Sequence, residues 1–88
     1  MLKVTNSVHN MPCIEVRKAN KRVQDIIKRA VTCQYMTDQR YILSGKAGAF
    51  LQGYDEQSGW ILVEFWQPDY QPFVDLLNKL IDEDKAKQ

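Results

Sequence analysis

The chain has little of what most recognisable sites are built from. Its 88 residues include a single histidine, His9, and two cysteines, Cys13 and Cys33. Two cysteines so far apart make neither a disulfide scaffold nor a zinc-ligand spacing, and one histidine supplies no second ligand cluster. The thiols are therefore expected to be reduced and partly buried. A nucleophilic cysteine would need a nearby base; Cys33 lies just past a basic helix, but His9 is in a different segment. No apolar run approaches the length that spans a bilayer, so no membrane insertion is expected. Residues Met1 to Ser7 are interrupted by polar side chains before a signal-peptide core could form, so the chain is expected to start here and to stay in the cytoplasm. Gly45-Lys46-Ala47-Gly48 lacks the spacing and the hydroxyl of a phosphate-binding loop. There is no Ser-His-Asp arrangement for the lone histidine to serve and no carboxylate-histidine set for a metal. No catalytic residue, metal or cofactor is expected, and the chain reads as a non-enzyme.

What is present is the composition of an ordinary globular protein, 44% hydrophobic and 26% charged. Residues 1–88 read as one domain, small enough that self-association would add to its stability. Leu2 and Val4 suggest a short edge strand, followed by a loop from Asn6 to Pro12, and Cys13 to Arg17 alternates with Ile14 and Val16 inward. Asn20 suits a helix N-cap. Behind it Val23, Ile26, Ile27, Ala30, Val31 and Gln34 form one helical stripe. Past Thr37-Asp38, Arg40 to Ser44 reads as a strand stopped by Gly45. Ala49–Tyr54 and Trp60–Trp66 read as a hairpin joined through Asp55 to Gly59. Pro72 suits the first turn of a second helix, with Phe73, Leu76, Leu77, Leu80 and Ile81 as its stripe and a tail, residues 83–88, that frays. The expected class is α+β: an antiparallel β-meander of three to four strands packed with two amphipathic helices, in the order β-α-β-β-β-α.

The hairpin carries apolar residues on both faces. Ile61, Val63 and Phe65 point one way, and Trp60, Leu62, Glu64 and Trp66 the other. A half-exposed strand needs one apolar row, so the second must be covered by a helix, another sheet, a partner chain or a ligand. Phe50, Tyr54, Trp60, Leu62, Glu64 and Trp66 are the expected partner interface. Covering that face would push the Glu64 carboxyl up by desolvation, as in a general acid, although a rim glutamate paired with an arginine is the commoner arrangement.

Charge is unevenly spread. Residues 1–46 hold nine Lys and Arg against three Asp and Glu, and residues 47–88 hold three against eight. Arg17, Lys18, Lys21, Arg22, Lys28 and Arg29 form a basic strip around the first helix, suited to phosphate or an acidic partner. The simpler reading, favoured by a net charge of only +1, is a solvated face that finds its counter-charges within the fold or in a second copy.

Gly45-Lys46-Ala47-Gly48-Ala49-Phe50-Leu51, Gly53-Tyr54-Asp55-Glu56 and Gly59-Trp60-Ile61-Leu62-Val63-Glu64-Phe65 together resemble the glycine-punctuated hairpin of KOW-type and other small Src-homology-type barrels. The resemblance covers residues 45–66 and implies binding of RNA, proline-rich peptides or proteins, with Tyr54 and Trp60 as aromatic neighbours of the turn. The two helices depart from that pattern.

The sequence therefore points to a small cytoplasmic protein that acts by binding itself, as a homodimer or higher oligomer, or another protein, in the manner of accessory proteins of mobile elements. A nucleic-acid module using the basic strip is the alternative. A small-molecule pocket between subunits comes third.

Overall fold

Ile61, Val63 and Phe65 need a cover, and the helical stripes need a floor; the fold joins the two. The computed structural model describes residues 1–32 and 39–87. It shows β1 (Thr5–Asn6), β2 (Pro12–Val16), α1 (Lys21–Val31), α2 (Gln39–Ala47), β3 (Ala49–Asp55), β4 (Trp60–Phe65) and α3 (Gln71–Ala86). The strands form one antiparallel sheet in the order β1-β2-β4-β3. The α+β class and the antiparallel sheet are those expected. Two hairpins, β1–β2 and β3–β4, lie side by side, connected through α1 and α2, and β4 rather than β3 adjoins β2.

All three helices pack on one side of the sheet. Ile27 and Ala30 of α1, Ala47 of α2, and Phe73, Val74 and Leu77 of α3 close on Ile14, Ile61, Val63 and Phe65. The Phe65 ring stacks on Tyr70 at 5.4 Å and meets Phe73 edge-on at 6.2 Å. The Asn20 side chain caps α1 by accepting from the Val23 N–H at 3.0 Å, which satisfies one of the donors a helix start leaves open. Proline stands in the first turn of α3, where its missing N–H costs nothing.

The segment read as a strand at Arg40 to Ser44 is helix α2 instead. Tyr41, Ile42 and Leu43 look strand-like, yet the residues that turn inward are Leu43, Ser44 and Ala47, at helical spacing, while Tyr41 and Ile42 face outward. Small side chains carry this stripe, so its period is hard to see against the bulkier residues beside it. Gly45 does not end the segment; Gly48 does, with φ +59°, the left-handed conformation that glycine adopts without penalty after a helix. A second correction concerns the start. Pairing begins at Thr5, and Leu2 and Val4 pack against the core, with both backbone groups of Leu2 bonded to the Asn78 side chain at 2.7 and 3.2 Å. At the other end α3 continues through Ala86, and Arg22 of α1 reaches it through two-pronged bonding of its guanidinium to Asp84 at 2.8–3.1 Å. The expectations for Cys33, Gln34 and Thr37-Asp38 fall outside the described residues.

Candidate functional site

Residues directly opposite one another in a sheet share a face, so the register builds the side away from the helices row by row. Thr5 pairs with Cys13, Cys13 with Glu64, and Glu64 with Phe50, one row across all four strands. The next row is Glu15, Leu62 and Gly53. Cys13 and Glu64 are among the most buried residues of the protein, 2% and 1% exposed, although neither belongs to the core under the helices.

Over Glu64 folds the loop joining β1 to β2, while the Cys13 thiol lies 3.5 Å from the Thr5 hydroxyl of β1, where that loop begins. Ser7 closes it on itself, donating its N–H to the Met11 carbonyl and accepting at its own carbonyl from Asn10, both at 2.9 Å. Its hydroxyl oxygen also accepts from the N–H groups of His9 and Met11. Asn10 adopts φ +58° to make the turn, a conformation that asparagine tolerates better than most residues. So folded, the loop aims two side chains at Glu64. The Ser7 hydroxyl donates to Oε2 in a short bond, and His9 Nδ1 lies 2.9 Å from Oε2 and 3.2 Å from Oε1. The Ser7 bond, followed by the His9 bond and charge, holds the Glu64 carboxyl below the ordinary glutamate range against the opposing effect of burial. This reverses the sequence expectation that covering the face would raise it, because donors came with the cover. Nor is the partner an arginine.

Along the face, Trp60 donates from Nε1 to Glu15 Oε2 at 2.7 Å, and Arg17 approaches the same oxygen at 3.3 Å. The Trp60 indole lies over Gly53: a Cβ there would come within 2.3 Å of the ring, so only glycine leaves room for it. Between the loop and Trp60 runs a groove of about 400 Å³ lined by Thr5, His9, Cys13, Gln52, Trp60 and Leu62, among others. Beyond Glu64 the face ends in Trp66, 71% exposed, whose ring meets Phe50 at 5.4 Å and 45°. At the loop tip Val8 is 95% exposed.

No family model, curated protein or solved structure matches this chain. Its chemistry must be read from its own geometry. Among the described residues no group of three or more His, Cys, Asp or Glu side chains is placed to hold a metal ion.

Of the six expected interface residues, the structure brings Phe50, Trp60, Leu62, Glu64 and Trp66 to this face. Tyr54 is not there. The pairing skips a residue between Leu51↔Val63 and Gly53↔Leu62; this bulge at Gln52 turns the following residue over. Tyr54 therefore lies opposite Ile61 on the helix side, donating to Gln24 Oε1 at 2.9 Å, with Lys28 Nζ 4.5 Å from its ring centre. The basic strip is largely engaged within the fold. Lys21 reaches Glu56 at 3.0 Å and Asp25 at 3.6 Å, Arg22 holds Asp84, Arg17 meets Glu15 and Lys28 covers Tyr54; Lys18 and Arg29 remain exposed. Sequence reasoning missed Ser7 and His9 altogether and placed Cys13 without a neighbour. The polar run from Asn6 to Asn10 marked a turn, but only the β2–β4 register reveals that it folds over Glu64.

Proposed function

We propose that this is a cytoplasmic binding protein that uses the sheet face opposite its helices to associate with a second copy of itself. The observation that carries the reading is Trp66, largely exposed, with its ring set against Phe50. A tryptophan in that setting is the kind of anchor that dominates protein interfaces, contributing roughly 1.5–3 kcal/mol when buried. Trp60, fixed by Glu15 and seated over Gly53, supplies a second rigid aromatic on the same face. The resemblance of the β3–β4 part of residues 45–66 to the hairpins of small binding modules supports a binding role in general, although residues 45–47 belong to α2. A reading through the basic strip has less support, because most of its cations already have partners in the fold.

The test is solution mass by light scattering. The wild type is expected to be a dimer or larger, and Trp66→Glu to shift it toward monomer while leaving the circular dichroism spectrum intact. A wild-type monomer at high concentration would overturn the reading.

A further inference from the structure

The loop over Glu64 is attached to the sheet in an unusual way for a piece of structure that buries so much. Beyond β1, only two residues long, the side-chain bonds that tie it to the sheet converge on one carboxylate: the Ser7 hydroxyl and His9 Nδ1 on Glu64. Of its two apolar residues, Val8 at the tip turns to solvent and Met11, next to β2, is only half-buried, so the tip adds little hydrophobic anchorage. Every other bond of Ser7 stays within the loop. Beneath it lies Glu64, and beside Glu64 in the same row is Cys13, whose Sγ is 3.5 Å from the Thr5 hydroxyl at the root of the strap; both are nearly inaccessible although the helices are on the opposite side of the sheet.

We infer that residues 7–11 form a hinged strap latched by the Glu64 carboxylate, and that neutralising this one charge opens the inner groove and exposes the Cys13 thiol without unfolding the protein. The hinge points are the ends of the β1–β2 ladder, where Asn6 pairs with Pro12. The groups facing Glu64 leave the latch no substitute. From the strap come Ser7 and His9; β2 presents Cys13 directly opposite, and β3 presents Phe50. The nearest other carboxylate along β2, Glu15, is already bonded to Trp60 and Arg17. A neutral group at position 64 gives up the charge-assisted part of both strap bonds, and such bonds are about twice as strong as neutral ones. The device concerns access to the groove within one protomer, and it is read at protein concentrations low enough that no second copy covers the same face.

The experiment measures alkylation of Cys13 by N-ethylmaleimide at constant pH in a Cys33→Ser background, with the modified residue located by mass spectrometry. The wild-type strap should protect Cys13, and Glu64→Gln should speed its labelling about tenfold or more. Labelling is repeated in low urea. A rate independent of urea reports local opening, and a rate that climbs with urea reports global unfolding. Equal rates in wild type and Glu64→Gln, or an acceleration that follows urea throughout, would overturn the strap. If Glu64→Gln loses its helical circular dichroism, the Ser7→Ala, His9→Ala double variant, which leaves the carboxylate in place and removes its two donors, is held to the same criteria. Mass measurement of each labelled sample separates this result from the oligomer question.

Discussion

One sheet carries two unlike faces, and the contrast shows where this protein keeps its stability and where it keeps its chemistry. On the helix side the central buried cluster is aliphatic and aromatic, drawn from two strands and three helices, with Gln24 and Ser44 at its margin. That face is filled. On the other side a single row crosses Thr5, Cys13, Glu64 and Phe50, and burial is achieved by a polar loop instead of a hydrophobic layer. Non-directional packing holds the first face. Directional bonds to one charge hold the second, so it can be loosened by changing a proton, which the first cannot.

The largest expected effect would be on the filled face. Leu77→Ala removes a fully buried side chain from α3 and should cost about 2–5 kcal/mol through lost transfer energy and the cavity left behind. Ile27→Ala should cost about the same. For a domain of this size that is several degrees of melting temperature or more, measurable by thermal denaturation; an unchanged Tm in Leu77→Ala would mean that the two faces do not divide as described.

Gly53→Ala comes next, because it strikes the second face where packing is tight. The added methyl meets the Trp60 ring, and relieving that contact should cost about 1–3 kcal/mol. It should also break the Trp60–Glu15 bond, visible as a red shift of tryptophan emission. Spectra and Tm both unchanged would show that Trp60 has another seat.

Acid should act on the second face selectively. Glu64 ionises more readily in the fold than in the unfolded chain, through Ser7 and then His9. Its folded value being depressed, the stability it adds is complete above the ordinary glutamate range and is lost as pH falls through the lower, folded value. Urea midpoints followed from about pH 7 to about pH 3 should therefore drop on the acid side. Ser7→Ala should flatten that drop, and an identical acid limb in the variant would remove Glu64 as its cause.

The smallest effect is expected at Trp66. Its ring is mostly in solvent, so Trp66→Ala should change monomer stability by about 0.5 kcal/mol or less in denaturant titrations at low protein concentration. A large loss would place Trp66 in the fold rather than on its surface.

Sequence periodicity revealed those parts of the molecule in which large apolar side chains recur at one spacing. Val23, Ile27 and Ala30 mark α1, Phe73, Leu77 and Ile81 mark α3, and Ile61, Val63 and Phe65 mark β4. Helix α2 escaped because Ser44 and Ala47 bury little, while its bulky Tyr41 and Ile42 point outward. Tyr54 was assigned to the wrong face because strict alternation has no way to show a bulge in advance. The Ser7–His9–Glu64 cluster was the least legible of all. Its members are 55 and 57 residues apart in sequence, and nothing local to any of them indicates the pairing of β2 with β4 that brings them together.

The bulge at Gln52 has one more consequence, for what the sheet can grow into. Strand β3 stands at one end of the order β1-β2-β4-β3, and an open strand edge is a template on which another chain can lay a strand of its own. Such growth needs an evenly spaced series of outward N–H and C=O groups, and an extra residue in mid-strand breaks that spacing and twists the edge away. At the opposite end, β1 offers two residues, too few to hold an added strand. Both margins of the sheet are thus poor starting points for fibre-like extension.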